Sequence, residues 1–227
     1  MIISTAWRRA ATLILVCLAG LVPAVASPVS AAPLSHRSAP TLRRDLPEPP
    51  GADVAIKELG ELKVEEPHQA PGYSRAKFPH WAKVYGQCDT REVVLARDGQ
   101  GVTQDSMCRA IKGTWYSPYD GKTLDSASMV DVDHLVPISN AWRMGAYLWT
   151  TEKRKKFAND LTHSQLIAVS ASSNRSKGDQ SPDQWAPPNK DYWCTYGRAW
   201  TDIKYVYGLS ITAPEKKTLE TMLNTCD

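Results

Sequence analysis

Two stretches decide the fold of this chain: Asp131-Val132-Asp133-His134-Leu135-Val136-Pro137 and Asn174-Arg175-Ser176-Lys177-Gly178-Asp179. The residues from Met129 to Val136 predict one strand, and the apolar run Leu166-Ile167-Ala168-Val169 predicts a second. Serines typical of a helix N-cap follow the second run and lead to Asn174, so a helix is predicted there. The predicted order is strand, loop, strand, helix.

The neighbours Asp133 and His134 bring two kinds of chemistry together. A carboxylate supplies an oxygen ligand for a hard cation, and a histidine supplies a base that is neutral near pH 7. Hydrolysis of a phosphodiester needs both a cation on the phosphate and a base on the attacking water. Successive side chains of a regular strand face opposite sides, so the two residues meet one substrate only if the strand ends or twists there. Pro137 is consistent with such an ending.

The full set of motifs resembles the HNH, or ββα-metal, nuclease superfamily. The segment Asp131 to Pro137 is similar to the corresponding strand of HNH domains, and Asn174-Arg175-Ser176-Lys177 resembles their metal-binding helix. A closer likeness is to the family that includes the C-terminal domain of GmrSD-type restriction endonucleases, and it covers about residue 52 to the end. Its further motifs are Tyr73-Ser74-Arg75, Phe78, Trp81, Cys88-Asp89-Thr90-Arg91, Ser117-Pro118-Tyr119-Asp120-Gly121, Ala141-Trp142 and Phe157-Ala158-Asn159-Asp160.

This resemblance implies a role for each matching residue. His134 becomes the general base, and Asp133 and Asn174 become ligands of one divalent cation. An all-oxygen ligand set favours Mg²⁺ or Mn²⁺ over zinc. Gln165 stands where many HNH proteins carry a middle asparagine, so the residue that braces the loop around His134 is left open between three candidates: Gln165, Asn159 and Asp160.

Further polar residues are expected to support this site. Asp131 and Asp179 are candidates to orient it, and Arg154, Arg175 and Lys177 are candidate phosphate contacts. Arg154 belongs to the basic run Lys153-Arg154-Lys155-Lys156. That run has two interpretations: a solvated helix face or, if it flanks the metal, a surface that steers phosphate.

The amino-terminal composition predicts an exported protein. Residues 1–31 hold Arg8 and Arg9, an uncharged run and small residues, which together are typical of a signal peptide. The run is short for a membrane span, so no stable membrane association is expected after cleavage. Residues 32–51 form an expected flexible Pro-rich leader, and residues 52–227 form one nuclease domain. The whole chain carries a net charge of +3, of which the signal segment contributes two arginines, so charge alone does not indicate a nucleic-acid binder.

Four cysteines remain after signal cleavage: Cys88, Cys108, Cys194 and Cys226. An even number in an exported chain predicts two disulfides. Aromatic residues recur at helical spacing from Trp193 to Tyr207, and a capping box at Thr212 begins a last helix. Two helices of similar length joined by a short loop pack antiparallel, which places Cys194 beside Cys226. By exclusion, Cys88 pairs with Cys108.

These observations predict an α+β fold, in which the ββα motif is embedded in a mostly helical single domain that is cross-linked by two disulfides. The other helices are expected at Thr90–Arg97, Asn140–Trp149 and Thr151–Asp160, and a strand is expected at Cys108–Tyr116. The expected function is hydrolysis of nucleic acid, with DNA favoured over RNA, by a secreted monomer. Two alternatives stay open: a secreted non-catalytic binding module on the same scaffold, which would show no metal-dependent turnover, and a hydrolase of another phosphoester.

Overall fold

The computed structural model describes residues 47–69 and 71–226. The expected signal peptide and residues 32–46 of the expected leader lie outside this part of the chain. Residues 47–50 of that leader are packed against the domain: the Arg198 side chain donates to the carbonyls of Pro49 and Pro50 at 2.7 and 2.6 Å. The domain therefore extends several residues before position 52. None of the described helices is long and apolar enough to cross a membrane.

The described chain is a mixture of α-helices and short strands, as the sequence predicts. The helices are α1 (Ala52–Glu61), α2 (Thr90–Asp98), α3 (Ile138–Arg143), α4 (Thr151–Ala158), α5 (Ala171–Lys177), α6 (Trp193–Tyr207) and α7 (Ala213–Leu223). The strands are β1 (Lys83–Tyr85), β2 (Cys88–Asp89), β3 (Gly99–Gln104), β4 (Ala110–Ser117), β5 (Lys122–Leu124), β6 (Val130–His134) and β7 (Leu166–Ser170). All sheets are small and antiparallel, with β1 paired to β2, β4 between β3 and β5, and β6 paired to β7.

The β6–β7 pair and α5 form the predicted strand, strand, helix unit. The strands pair from Val130 opposite Ser170 to His134 opposite Leu166. Helix α5 begins directly after β7, where the Ser170 hydroxyl accepts a hydrogen bond from the Ser173 amide. Serine is a favoured N-cap because its oxygen satisfies an amide that the helix leaves without a partner.

The segment between β6 and β7 holds α3 and α4. The sequence predicts one helix over Asn140–Trp149, but the structure divides this stretch into α3 and a separate 3₁₀ turn at Ala146–Leu148. Gly145 separates the two with a φ of 129°. Residues with a side chain rarely adopt that backbone conformation, so the glycine ends the helix there.

Two buried clusters enclose the β6–β7 pair. Val130 and Val132 of β6 pack with Leu166 and Ala168 of β7 against α2 and β4. The larger cluster joins α1, α3, α6 and α7, and it includes the predicted aromatic stripe of α6. Because β7 is buried along its whole length, the strand that leads to Asn174 is fixed on both faces.

Both predicted disulfides are present. Cys88 is bonded to Cys108, and Cys194 at the start of α6 is bonded to Cys226 after α7. The capping box at Thr212 and Glu215 is also present, and α6 ends at Gly208 with a φ of 65°. The antiparallel pairing of α6 and α7 that placed the cysteines together is therefore confirmed.

Candidate active site

The ends of β6 and α5 open into one cleft of about 390 Å³. Loop residues around the 3₁₀ turn at Arg75–Lys77 complete its wall. The cleft is lined by Tyr73, Arg75, Val132, Asp133, His134, Pro137, Ile138, Ser139, Asn174, Arg175, Gly178 and Asp179. The structure thus brings the expected base and both expected ligands to a single surface.

His134 is the last residue of β6 and is only 5% exposed. Its Nε2 lies 2.9 Å from the carbonyl oxygen of Ala158. A carbonyl can only accept a hydrogen bond, so Nε2 carries the proton and Nδ1 keeps its lone pair. Burial lowers the pKa of His134 to about 3, although the Ala158 carbonyl opposes this shift. The imidazole is therefore neutral at pH 7 and can accept a proton through Nδ1.

Trp81 covers the His134 ring. The two rings are stacked, with 5.5 Å between centroids and 28° between planes. Trp81 has a φ of 58°, a left-handed conformation that costs a residue with a side chain about 1 to 2 kcal/mol. Asn159 holds this loop on both sides, since its amide donates to the Pro79 carbonyl and its oxygen accepts from the Ala82 amide. Asn159 thereby braces the segment that fixes the imidazole plane.

Asp133 lies one residue before His134 and is 6% exposed. Its Oδ2 accepts hydrogen bonds from the Tyr119 hydroxyl at 2.7 Å and the Lys177 ammonium at 2.8 Å. Burial raises the pKa of Asp133, and the adjacent Lys177 charge opposes that shift. Both hydrogen bonds fall on Oδ2, so Oδ1 is the oxygen available to a cation.

Asn174 lies in the first turns of α5. Its Nδ2 donates to Oδ2 of Asp131 at 3.1 Å. This contact uses the amide nitrogen and leaves the amide oxygen for another partner. Asp131 therefore orients Asn174, and α5 in turn is held at its N-terminus by the contact of Ser170 with Asp120 at 2.8 Å.

Gln165 immediately precedes β7 and is fully buried. Its Oε1 accepts from the amide of Val136 at 3.1 Å, and its Nε2 donates to the carbonyl of the same residue at 2.9 Å. One side chain thus satisfies both backbone groups of a residue two positions after His134. Asp160, the third bracing candidate, instead bonds Thr162, His163 and Tyr207 beside α6.

Asp179 forms part of the opposite wall of the cleft. Its carboxylate accepts from Arg143 at 3.0 Å and from the Ser139 hydroxyl at 3.3 Å. The Arg143 guanidinium lowers the pKa of Asp179, so the carboxylate is ionised at neutral pH. These contacts tie the end of α5 to α3.

The three residues that were expected to contact phosphate lie in different surroundings in the structure. Arg175 is exposed and lines the cleft. Lys177 is fully buried against Asp133, and its ammonium also donates to the His134 carbonyl at 3.0 Å. Arg154 lies outside the cleft and donates to the carbonyls of Lys77 and Trp149. These placements correct the expectation for both residues: Lys177 is buried and bonded to Asp133, and Arg154 does not line the cleft that holds Asp133 and His134.

Arg75, Tyr119 and Trp81 are site residues to which sequence reasoning gave no role. All three belong to motifs that carry the family resemblance, which was the available signal. Arg75 is exposed in the cleft and, within the described residues, neither it nor Arg175 is paired with a carboxylate. Tyr119 lies in the segment Ser117 to Gly121, which was predicted to be a turn, so no role was assigned to its hydroxyl.

The donor set of the cleft fits a hard cation. Asp133 offers a carboxylate oxygen and Asn174 an amide oxygen, which are ligands that Mg²⁺ and Mn²⁺ accept together with water and substrate oxygens. In the part of the chain that the structure describes, no group of three or more histidine, cysteine, aspartate and glutamate side chains is placed to hold a metal. The asparagine and substrate oxygens would have to complete the shell.

Comparison with known proteins places this geometry in a family. Residues 94–221, more than half of the chain, match the model for "GmrSD restriction endonucleases, C-terminal domain". A protein of Arthroderma benhamiae named "Uncharacterized secreted protein" is 53% identical over 180 residues, which cover 79% of this chain and 88% of that protein. No solved structure matches the chain. A cleft built by a ββα unit and a family match that spans both strands and α5 lead to the same conclusion: the chain belongs to the GmrSD restriction endonuclease C-terminal domain family.

Proposed function

We propose that this protein is a secreted endonuclease that hydrolyses phosphodiester bonds of nucleic acid, preferably DNA, with one divalent cation. The observation that carries the proposal is the meeting of a neutral His134, Asp133 and Asn174 in one cleft. Arg75 and Arg175 line the same cleft and have no acidic partner among the described residues. Unpaired arginines suit the oxygens of a phosphate backbone.

Asp133 Oδ1 and the Asn174 amide oxygen would hold the cation. A Mg²⁺ or Mn²⁺ ion bound there supplies Lewis-acid stabilisation of the charge that develops on the phosphate and on the departing oxygen. Tyr119 and Asp131 fix the orientations of these two ligands through the hydrogen bonds that they share with them.

His134 performs the proton transfer. Its Nδ1 accepts a proton from a water molecule, and the water oxygen forms a bond to phosphorus. The bond from phosphorus to the ester oxygen breaks, and that oxygen takes the electron pair and then a proton from solvent. The Ala158 carbonyl stabilises the imidazolium that forms, because Nε2–H already donates to it.

Export is part of the proposal. Two disulfides are characteristic of proteins that fold in an oxidising compartment, and the Arthroderma benhamiae relative is named a secreted protein. The expected signal peptide at residues 1–31 would direct the chain there.

The first test uses purified mature protein with plasmid DNA and with RNA, in the presence of Mg²⁺ or Mn²⁺ and after addition of EDTA. His134→Ala should keep its fold and lose about 10² to 10⁴ in cleavage rate, because a general base is removed. His68→Ala is the matched control, since His68 is exposed and stacked on Tyr147 outside the cleft. Digestion by His134→Ala at the control rate would exclude His134 as the base.

The ligand assignment is tested by Asp133→Asn and Asn174→Ala. Each should raise the Mn²⁺ concentration needed for half-maximal cleavage as well as lower the rate. Asn224→Ala, an exposed position at the end of α7, is the control and should behave as the wild type. If a variant keeps the wild-type Mn²⁺ dependence, the residue that was replaced is not a metal ligand. If the wild type shows no metal-dependent turnover on DNA or RNA, a binding module on this scaffold becomes the better account.

A further inference from the structure

The expected metal ligand Asp133 already has a positive partner inside the protein. The Lys177 ammonium lies 2.8 Å from Oδ2 of Asp133, and the Lys177 side chain is 0% exposed. The same ammonium donates to the carbonyl of His134 at 3.0 Å, so its position is fixed by two partners. The charge of the carboxylate is therefore balanced before any cation arrives.

The charges around the whole cleft point in the same direction. Four cationic side chains lie in or directly behind its walls: Arg75, Arg143, Arg175 and Lys177. Three carboxylates lie there: Asp131, Asp133 and Asp179. A divalent cation that enters the cleft without a nucleic acid thus meets a surface that is not net negative, whereas an anionic phosphodiester is attracted to it.

We propose that Lys177 keeps the cation affinity of the free protein low, so that the cation and the phosphodiester bind synergistically. The inference rests on the proposed function and adds the order of events at the same site. A phosphate oxygen brings the negative charge that the cleft lacks, and the cation in turn neutralises the phosphate. By thermodynamic linkage each ligand raises the affinity for the other by the same factor.

A purely structural role of the ion pair makes a different prediction. Removing one partner of a buried pair destabilises a protein because the other charge is left uncompensated. That effect alone lowers the melting temperature and leaves the Mn²⁺ affinity of the folded protein unchanged. Measurement of Mn²⁺ binding, independent of cleavage, distinguishes the two roles.

The first measurement is Mn²⁺ binding by electron paramagnetic resonance in the His134→Ala protein, which prevents turnover. Binding is measured without nucleic acid and with a short DNA or RNA oligonucleotide. The oligonucleotide should raise the Mn²⁺ affinity by about tenfold or more, within the usual range of such coupling. The double variant His134→Ala, Asp133→Asn gives the background of Mn²⁺ on the oligonucleotide itself. Equal Mn²⁺ affinity with and without oligonucleotide would overturn the proposal.

The second measurement adds Lys177→Met to the same background. Removal of a unit positive charge beside the ligand should raise the Mn²⁺ affinity of the free protein by about tenfold or more, and it should shrink the gain from the oligonucleotide. Lys217→Met is the matched control, because it removes the same charge at an exposed position of α7 that does not line the cleft. Its free-protein Mn²⁺ affinity should stay within about threefold of the parent protein, since solvent and salt screen a distant exposed charge. Equal Mn²⁺ affinities of a folded Lys177→Met protein and its parent would assign the pair a structural role only.

The two proposals fail in different ways. If no protein binds Mn²⁺ above the Asp133→Asn background even with nucleic acid, the metal site of the proposed function is wrong. If the free parent protein binds Mn²⁺ as tightly as the complex does, only the synergy is wrong. Should Lys177→Met not fold, the first measurement still decides whether the two ligands bind synergistically, and Lys177→Gln, which keeps a hydrogen-bond donor beside Oδ2 of Asp133, takes its place as the test of the charge.

Discussion

At the scale of single residues, Gln165 shows how one side chain supports the cleft without entering it. Its amide occupies both the donor and the acceptor of the Val136 backbone, at a position from which water is excluded. A buried backbone group without a partner costs about 1 to 3 kcal/mol, so the residue stabilises the turn that leaves β6.

Gln165→Leu should therefore lower the free energy of unfolding by about 2 to 4 kcal/mol, because both Val136 groups lose their partners. Chemical denaturation measures this loss. Gln100→Leu, an exposed position in β3, is the control and should change stability by less than about 0.5 kcal/mol. A Gln165→Leu protein as stable as the control would show that the turn is held by other contacts.

The meeting of Asp133, His134 and Asn174 in one cleft could be predicted from the sequence, because the first two lie on one strand and the third lies on the helix that follows its partner strand. The burial of Lys177 could not, since it depends on which face of a seven-residue helix meets β6. The hydroxyl of Tyr119 and the ring of Trp81 reach the site across 14 and 53 positions of chain, and no local pattern encodes such contacts.

At the scale of elements, α1 and α6 pack together with carboxylates near their contact. Burial, followed by repulsion from Asp202 and Glu61, raises the pKa of Glu58 in α1. Burial also raises the pKa of Asp202 in α6, with Asp160 adding to the shift and His163 opposing it. Helix α1 was not predicted, because nothing before Ala52 resembles a side-chain cap: its N-cap is Gly51, which provides no side-chain hydrogen bond.

Raised carboxyl pKa values mean that the folded state binds protons more tightly than the unfolded state does. Glu58 and Asp202 therefore destabilise the folded state least below their unfolded pKa values of 4.5 and 3.8, where both are protonated. The free energy of unfolding falls as the pH rises through their higher folded-state pKa values. Asp202→Asn should raise the melting temperature at pH 7 by about 2 to 4 °C, the shift expected for about 1 kcal/mol in a domain of this size.

The difference between Asp202→Asn and the wild type should nearly disappear by about pH 3, below the unfolded pKa of 3.8, because the carboxyl is then largely protonated in both the folded and the unfolded state. Scanning calorimetry across this range measures it. Asp125→Asn is a matched control in a loop between β5 and β6, where the aspartate is exposed, and should show no such pH-dependent gain. A gain for Asp202→Asn that is the same at both pH values would contradict the electrostatic explanation.

At the scale of the whole molecule, the basic run Lys153 to Lys156 does not form one surface. Lys153 donates to the carbonyl of Tyr207 and lies over the ring of Trp149, and Arg154 is held by backbone carbonyls. Lys155 and Lys156 line a separate groove with Asn159 to Thr162. The exposed cations of the cleft are instead Arg75 and Arg175, which come from parts of the chain that are 100 positions apart.

Nucleic-acid binding should follow this division. The double variant Arg75→Gln, Arg175→Gln should lower the slope of log affinity against log salt by about two units, close to one unit for each lost phosphate contact. The matched double variant Lys155→Gln, Lys156→Gln removes the same charge and should leave the slope unchanged. Fluorescence anisotropy across a salt series measures both. A larger effect of the lysine pair would move the path of the nucleic acid to the groove beside α4.

The sequence predicted the fold class, both disulfides and the two carboxy-terminal helices α6 and α7, because helical spacing and capping residues are local signals. The hairpin of β3 and β4 was predicted only in its second strand. Strand β3 contains Gly99 and Gly101 and is held by pairing with β4, with register shifts along the pair, rather than by its own sequence. The packing of residues 47–50 was also missed, since composition shows only that such a segment cannot form a core by itself.

Strands β6 and β7 are paired in space but distant along the chain, so the residues of the cleft are synthesised in a fixed order. Their paired residues are 32 to 40 positions apart along the chain, and the intervening helices α3 and α4 are local structures that form quickly. A growing chain that has not reached residue 166 holds His134 without the strand that orders it, and Asn174 follows later still. A chain that is terminated before residue 166 therefore cannot form the cleft, because it lacks both the strand that pairs with β6 and the helix that carries Asn174.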